Sequence, residues 1–256
     1  ATKCLLIPNL IGNIPDWPAI KDAFPDLILF EDSADTITHT PCTDVSTTSF
    51  YASHVITAGG CGGMVMFNDD NHLKRALMFR DWGRIGDNIE EPSERFNHSV
   101  DGIPYDWKFL YGVAGYHLKA CEMNAAFGLV QLDKLEGFLG KRRENIKRYL
   151  ENLKDCPYYT LPDDSQIPNW LAIPLQCPDR LEIVKFLEEN DVQTRVTFAG
   201  NITRHPAFRE YLDAFENADK IMKDGFLLGA HHGLDIEDVD RVCNLLKTFA
   251  ATKVNA

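Results

Sequence analysis

The chain has no apolar run approaching the ~20 residues that a membrane-spanning helix needs. Its opening stretch, Ala1-Thr2-Lys3-Cys4-Leu5-Leu6-Ile7-Pro8, is too briefly apolar to read as a secretory leader. Seven cysteines occur at irregular spacing, and no Cys-x-x-Cys pair is among them. The odd count argues against a disulfide framework and the missing pair against structural zinc, so no metal site is expected. Positive charge is also scarce: 26 Lys and Arg face 38 Asp and Glu, a net charge of −12. An acidic surface repels nucleic acid and anionic membranes, so neither is an expected partner. Together these absences lead us to expect a cytoplasmic protein with reduced thiols. No internal repeat or low-complexity tract is present.

What remains is ordinary globular material, 45% hydrophobic and 25% charged over 256 residues, enough for one large domain or two smaller ones. Lys3 to Pro8 and Leu27 to Phe30 read as buried strands, with helical apolar spacing at Trp17, Ile20, Ala23 and Phe24 between them. This is the βαβ order of a parallel sheet, whose functional side chains collect at the carboxyl ends of the strands. Val45 to Phe50 and Met64 to Phe67 read as further strands, and Asn71 to Phe79 as a helix. Arg84 to Asp106 reads as a long irregular loop. Met123, Ala126, Phe127 and Val130 predict a core-facing helix. The texture then changes. Lys141 to Leu153 and Arg180 to Glu189 read as helices, Trp170 to Pro174, Val192 to Phe198 and Phe226 to Leu228 as strand-like runs, and Val239 to Phe249 as a closing helix. We therefore expect an α/β domain over 1–140 and a smaller α+β domain over 141–256.

The residues that could carry chemistry are grouped. Asp32 ends a predicted strand, where it could meet a ligand or cap a turn. Ala34 follows it and could equally be a core alanine. Ser49 lies in the polar tract Thr47-Thr48-Ser49, and five residues on stands His54. A histidine can move a proton near neutral pH, or it can be a hydrogen-bonded structural residue. No lysine stands nearby, the next being Lys74. The cluster Gly59-Gly60-Cys61-Gly62-Gly63 is not a P-loop, because no Gly-Lys-Ser/Thr follows. Adjacent His231 and His232, read as strand residues, would point to opposite faces and make a poor metal pair.

Glu31-Asp32, Ser49, His54 and the glycine cluster together resemble the pyridoxal-phosphate (PLP) site of the DegT-type sugar aminotransferase family. Arg80-Asp81-Trp82-Gly83-Arg84, Gly115-Tyr116-His117-Leu118-Lys119 and the run Phe198-Ala199-Gly200-Asn201-Ile202-Thr203-Arg204 extend the resemblance. They point to its NDP-4-keto-6-deoxyhexose 3-dehydratases, in which histidine replaces the Schiff-base lysine. The resemblance implies fold type I, aspartate aminotransferase-like architecture. It implies Asp32 at the pyridine nitrogen, Ala34 under the ring, Ser49 on the phosphate and His54 as catalytic base. His117 stands where the family has an asparagine that reaches the neighbouring subunit's phosphate, or else is a surface histidine. Arg84, Arg195 and Arg204 become candidates for an anionic substrate, with surface ion pairs as the alternative. The implied reaction is removal of the C3 hydroxyl of a nucleotide-linked keto-deoxysugar by pyridoxamine phosphate (PMP) in dideoxysugar, hence O-antigen and lipopolysaccharide, synthesis. Glutamate is the implied amine donor, an iron–sulfur cluster is not expected, and a homodimer is. The family's opening helices, early phosphate-binding segment and ring-stacking aromatic have no counterpart here. That gives weight to a truncated non-catalytic relative as one alternative; the other is a sugar aminotransferase, which would require a lysine at position 54.

Overall fold

The first four strands form one sheet in chain order. β1 (Cys4–Pro8), β2 (Ile28–Ser33) and β3 (Val45–Ser49) run parallel, and β4 (Gly63–Phe67) returns antiparallel to β3. The computed structural model describes residues 2–86, 89–163 and 169–254. Helix α1 (Trp17–Ala23) makes the crossover between β1 and β2. It starts where Asp16 accepts the Ala19 N–H at 3.0 Å and Pro18 presets the first turn, and Trp17 is wholly buried. Helix α2 (Asp70–Arg80) is capped in the same way by Asp69, which accepts the N–H groups of Asn71 and His72.

The region read as an irregular loop is more ordered than expected. It holds a short helix α3 (Pro92–Arg95) and a hairpin of β5 (His98–Val100) and β6 (Ile103–Tyr105). Asp101 and Gly102 form its two-residue turn, both at positive φ (52° and 80°), which matches the twist of the strands. Residues 87–88 of that loop lie outside the described residues.

A second correction concerns α4 (Glu122–Leu132), which was expected to face the core. No residue of it is buried, and Met123, Phe127 and Val130 are 79%, 48% and 53% exposed. Periodic apolar residues show that a face is to be covered; they do not show by what.

The chain forms two units, Ala1–Pro8 with Pro15–Gln131, and Asn9–Ile14 with Leu132–Ala256. The second unit is built on α5 (Leu135–Leu153), β7 (Ala172–Gln176), α6 (Arg180–Glu189), β8 (Thr194–Val196), α7 (Glu216–Asp224), β9 (Gly225–Gly229) and α8 (Ile236–Val254). Its three strands pair antiparallel in the order β7-β9-β8. Tyr149, Trp170, Ile173, Phe226 and Leu246 are among the residues that fill its core. The turn-rich Asn9–Ile14 joins this unit: the Leu171 N–H donates to Ile11 O at 2.7 Å, and the Trp170 indole donates to Asn13 Oδ1 at 2.9 Å. Burial lowers the Arg142 guanidinium to about 10, still charged at neutral pH, and its Nη1 donates to Leu171 O at 2.8 Å. His231 and His232 lie beyond β9, not on a strand as read. The His232 ring stacks on Phe138, and His231 Nδ1 accepts the Gly233 N–H. No helix among the described residues is long and apolar enough to cross a membrane.

Candidate functional site

Side chains alternate across a strand, and this separates the two carboxylates of Glu31-Asp32. Glu31 is fully buried. It accepts hydrogen bonds from Thr38 Oγ1 (3.0 Å), the Thr40 N–H (2.8 Å) and Thr43 Oγ1 (3.3 Å), tying the 38–43 loop to the sheet. Ser33, Ser46 and Thr48 are also buried, on the same side of the sheet. Asp32 points the other way. Its register partner on β3 is Thr47, and Ser49 follows two residues on, so Asp32, Thr47 and Ser49 share one half-exposed face at the carboxyl ends of parallel strands.

Asp32 Oδ1 accepts the Ala34 N–H at 3.0 Å, so the turn-capping use is real. Oδ2 has no hydrogen-bond partner among the described residues. Ala34 sits half-buried in that turn. Ser49 Oγ accepts the Tyr51 N–H at 3.2 Å and keeps its own proton for donation.

His54 is mostly buried. Its Nε2 lies 3.6 Å from Asp35 Oδ1, with side-chain exposures of 18% and 11%, and its Nδ1 is buried with no partner among the described residues. Sequence reasoning missed Asp35. The only available signal was a third carboxylate three residues after Asp32, and nothing local marks it as facing position 54. The glycines after His54 take positive φ at Gly59, Gly60 and Gly62, as expected of a loop turning back toward a site. Asn124 holds that loop by donating to Ala58 O.

His117 and Arg84 are brought to one place. The His117 ring stacks on Trp82 at 4.3 Å with the planes 16° apart, and the Arg84 guanidinium lies 4.8 Å from Trp82 and 5.0 Å from Phe109. Lys119 Nζ is 5.6 Å from the same indole. Asp81, nearly buried, takes a two-point contact from Arg80 at 2.8 and 2.9 Å.

The two remaining arginines belong to the second unit. Arg195, on β8, donates through Nη1 to Thr194 O at 2.6 Å. Arg204 is clamped by Asp219, through Nη2 to Oδ2 at 2.8 Å and through Nε to Oδ1. Asn201 donates to Asp219 as well, at 2.9 Å. The Arg204 and Asn201 hydrogen bonds hold the Asp219 carboxyl well below the usual carboxylate range. The folded form thus resists protonation more than the unfolded chain does. The pair's stabilisation is present above about pH 4 and drains away as the pH falls further. We expect Asp219→Asn to lower the urea midpoint more at pH 7 than near pH 2, where the unfolded carboxyl is already protonated; equal losses at both would contradict this.

Known proteins extend the picture. The Salmonella typhimurium lipopolysaccharide biosynthesis protein RfbH is 33% identical over 97% of this chain and 63% of the relative. The dTDP-4-dehydro-2,6-dideoxy-D-glucose 3-dehydratase of Saccharopolyspora spinosa is 31% identical over 98% of this chain and 60% of the relative. The chain therefore spans about three fifths of the length of these two relatives. Among solved structures, E. coli GDP-4-keto-6-deoxy-D-mannose-3-dehydratase with bound hydrated PLP superposes with a TM-score of 0.82 at 23% identity, over 96% of this chain and 67% of that one. That likeness establishes the fold-type-I, aspartate aminotransferase-like architecture. The residues here suit such a cofactor: a half-exposed sheet face bears a carboxylate and a hydroxyl, and a buried imidazole nitrogen lacks a partner beside them in sequence. A match to the family extends over residues 1–247, nearly the whole polypeptide, and with the site residues described above it places this chain in the DegT/DnrJ/EryC1/StrS aminotransferase family.

Proposed function

We propose that this site serves a PMP/PLP-dependent dehydratase that removes the C3 hydroxyl of an NDP-4-keto-6-deoxyhexose, a step in building dideoxysugars for bacterial O-antigen and lipopolysaccharide. One observation carries the reading: position 54 holds an imidazole with a buried, unpaired nitrogen, and no lysine is near it in sequence. PMP supplies an amine for a keto sugar and a ring that takes up an electron pair. The protein's part is to hold and to move protons. Asp32 would hold the ring nitrogen in its protonated form, Ala34 would lie under the ring, and Ser49 would donate to the phosphate. His54 Nδ1 would take a proton and then return it to the departing hydroxyl. Arg84, Arg195 and Arg204 would supply the positive charge that an anionic nucleotide needs against a net charge of −12. For Arg204 this requires exchanging Asp219 for the ligand.

The names of the relatives support the substrate class. The two E. coli and Yersinia pseudotuberculosis dehydratases act on GDP-4-keto-6-deoxy-D-mannose, and one solved relative holds a trapped PLP-glutamate adduct. Glutamate as amine donor and a cluster-free route are part of the proposal. The test supplies PMP, glutamate and a nucleotide-linked 4-keto-6-deoxyhexose and weighs the product. A sugar that has lost its C3 oxygen supports the dehydratase, and an amino sugar that retains it favours an aminotransferase.

We further propose a homodimer. The exposed apolar residues of α4, with Tyr116 and Leu118 at 64% and 67% exposure, form a surface that water covers poorly. His117 lies between those last two residues. In a dimer it would donate to the phosphate held by the partner. Sedimentation of the protein should give twice the chain mass, and Phe127→Glu should shift it to the monomer. A monomer in the unaltered protein would overturn this.

A further inference from the structure

We propose that Asp35 is a positioning residue for His54: its carboxylate keeps the imidazole proton on Nε2 and leaves Nδ1 as the nitrogen that accepts a proton. This rests on the dehydratase reading only for what the base acts upon.

The argument begins with what each atom can do. An ionised carboxylate is acceptor-only, so the ring nitrogen facing it carries the hydrogen in the neutral imidazole, and the other nitrogen keeps its lone pair. Nε2 faces Asp35 Oδ1 at 3.6 Å, and Nδ1 is the buried nitrogen without a partner. At that distance the two groups face each other without yet forming a hydrogen bond. Catalytic contacts commonly tighten only once ligand is bound.

The carboxylate stands on a turn that is pinned from several sides. Thr36 N–H donates to Ser33 O at 3.0 Å, Ala34 N–H donates to Asp32 Oδ1 at 3.0 Å, and Thr48 Oγ1 donates to Thr36 O at 2.8 Å. Residues on both sides of Asp35 are thus fixed to β2 and β3. The His54 backbone is held in turn by its N–H donating to Tyr51 O at 3.1 Å, and the Tyr51 ring lies edge-on at 6.1 Å. Position 35 therefore holds a carboxylate against the Nε2 of His54. The same turn carries Asp32 and Ala34, so the base and the cofactor-holding carboxylate are referenced to one rigid piece of backbone.

The test compares the unaltered protein with Asp35→Ala and with the isosteric Asp35→Asn, which guards against a folding defect. Imidazole nitrogen NMR of His54 is read without added cofactor, followed by turnover. We expect the unaltered protein to show a single neutral tautomer with a downfield, slowly exchanging Nε2 proton. Both variants should lose that signal to solvent exchange. Their kcat should fall about tenfold or more, with KM for the sugar within about twofold. A proton found on Nδ1, or the same spectrum in all three proteins, overturns the proposal. The two readings fail separately. A variant spectrum that changes while the unaltered protein deoxygenates no sugar keeps the pair and removes the dehydratase. Turnover that is equal in all three proteins removes the pair and keeps the dehydratase.

Discussion

Replacing His54 by asparagine is expected to lower the rate of C3 deoxygenation by about 10²–10⁴-fold, the usual contribution of a positioned acid–base group. Asparagine keeps a polar group of similar reach, so the surroundings of position 54 change little. It cannot accept a proton near neutral pH. Asp32 and Ser49 sit on β2 and β3 and are untouched by the change, so cofactor affinity should stay within about threefold, under one kcal/mol. The two quantities are read separately, turnover by product mass and cofactor binding by absorbance titration. A variant that keeps more than a third of the activity would show that the imidazole is structural, and one that loses cofactor binding in parallel would show that the residue belongs to the binding face instead.

Gly83→Ala is expected to produce the largest structural effect. Gly83 sits at φ 92°, where an L side chain is strained, and a Cβ there would lie 1.9 Å from Val113 O. Gly115 is equally crowded, its added Cβ lying 2.1 Å from Gly83 N. Two backbone segments cross at this point. Gly83 N–H donates to Met78 O, Gly112 N–H to Gly83 O, and Trp82 N–H to Tyr116 O, at 2.7, 2.9 and 2.7 Å. Backbone strain of about 1 kcal/mol and overpacking of about 1–3 kcal/mol add to roughly 2–4 kcal/mol. The melting temperature should fall by about 5–10 °C, and a variant within about 2 °C of the parent would contradict the crossing. The Trp82–His117 stack rides on the same crossing, so the phosphate contact proposed for His117 should weaken as well.

The elements that sequence makes legible are those whose signal is local. The βαβ start is announced by two apolar runs with helical spacing between them, and the structure places β1, α1 and β2 there. The split of Glu31 from Asp32 follows from strand periodicity alone. The hairpin at 98–105 was missed: Val100-Asp101-Gly102-Ile103 carries a two-residue turn signal, but its polar surroundings made the whole of Arg84 to Asp106 read as an irregular loop. The fate of α4 was not legible, since its apolar spacing is the same whether the covering surface belongs to this chain or to another. Arg204 shows a third limit. Its clamp to Asp219 joins residues fifteen apart across a 3-10 turn, and a pattern of residue types does not reveal which carboxylate a guanidinium will meet. Asp35 and His54 are hidden in the same way, nineteen residues apart in sequence and 3.6 Å apart in space.

The central claim is that an imidazole stands at position 54 in place of an amine that would bind the cofactor covalently. Borohydride reduction in the presence of PLP, followed by peptide mass mapping, tests it most directly. The unaltered protein should yield no stoichiometric pyridoxyl-lysine peptide while still binding cofactor reversibly, and His54→Lys should acquire one at residue 54. A stoichiometric lysine adduct in the unaltered protein, or a cofactor-binding His54→Lys variant without one, would contradict the account.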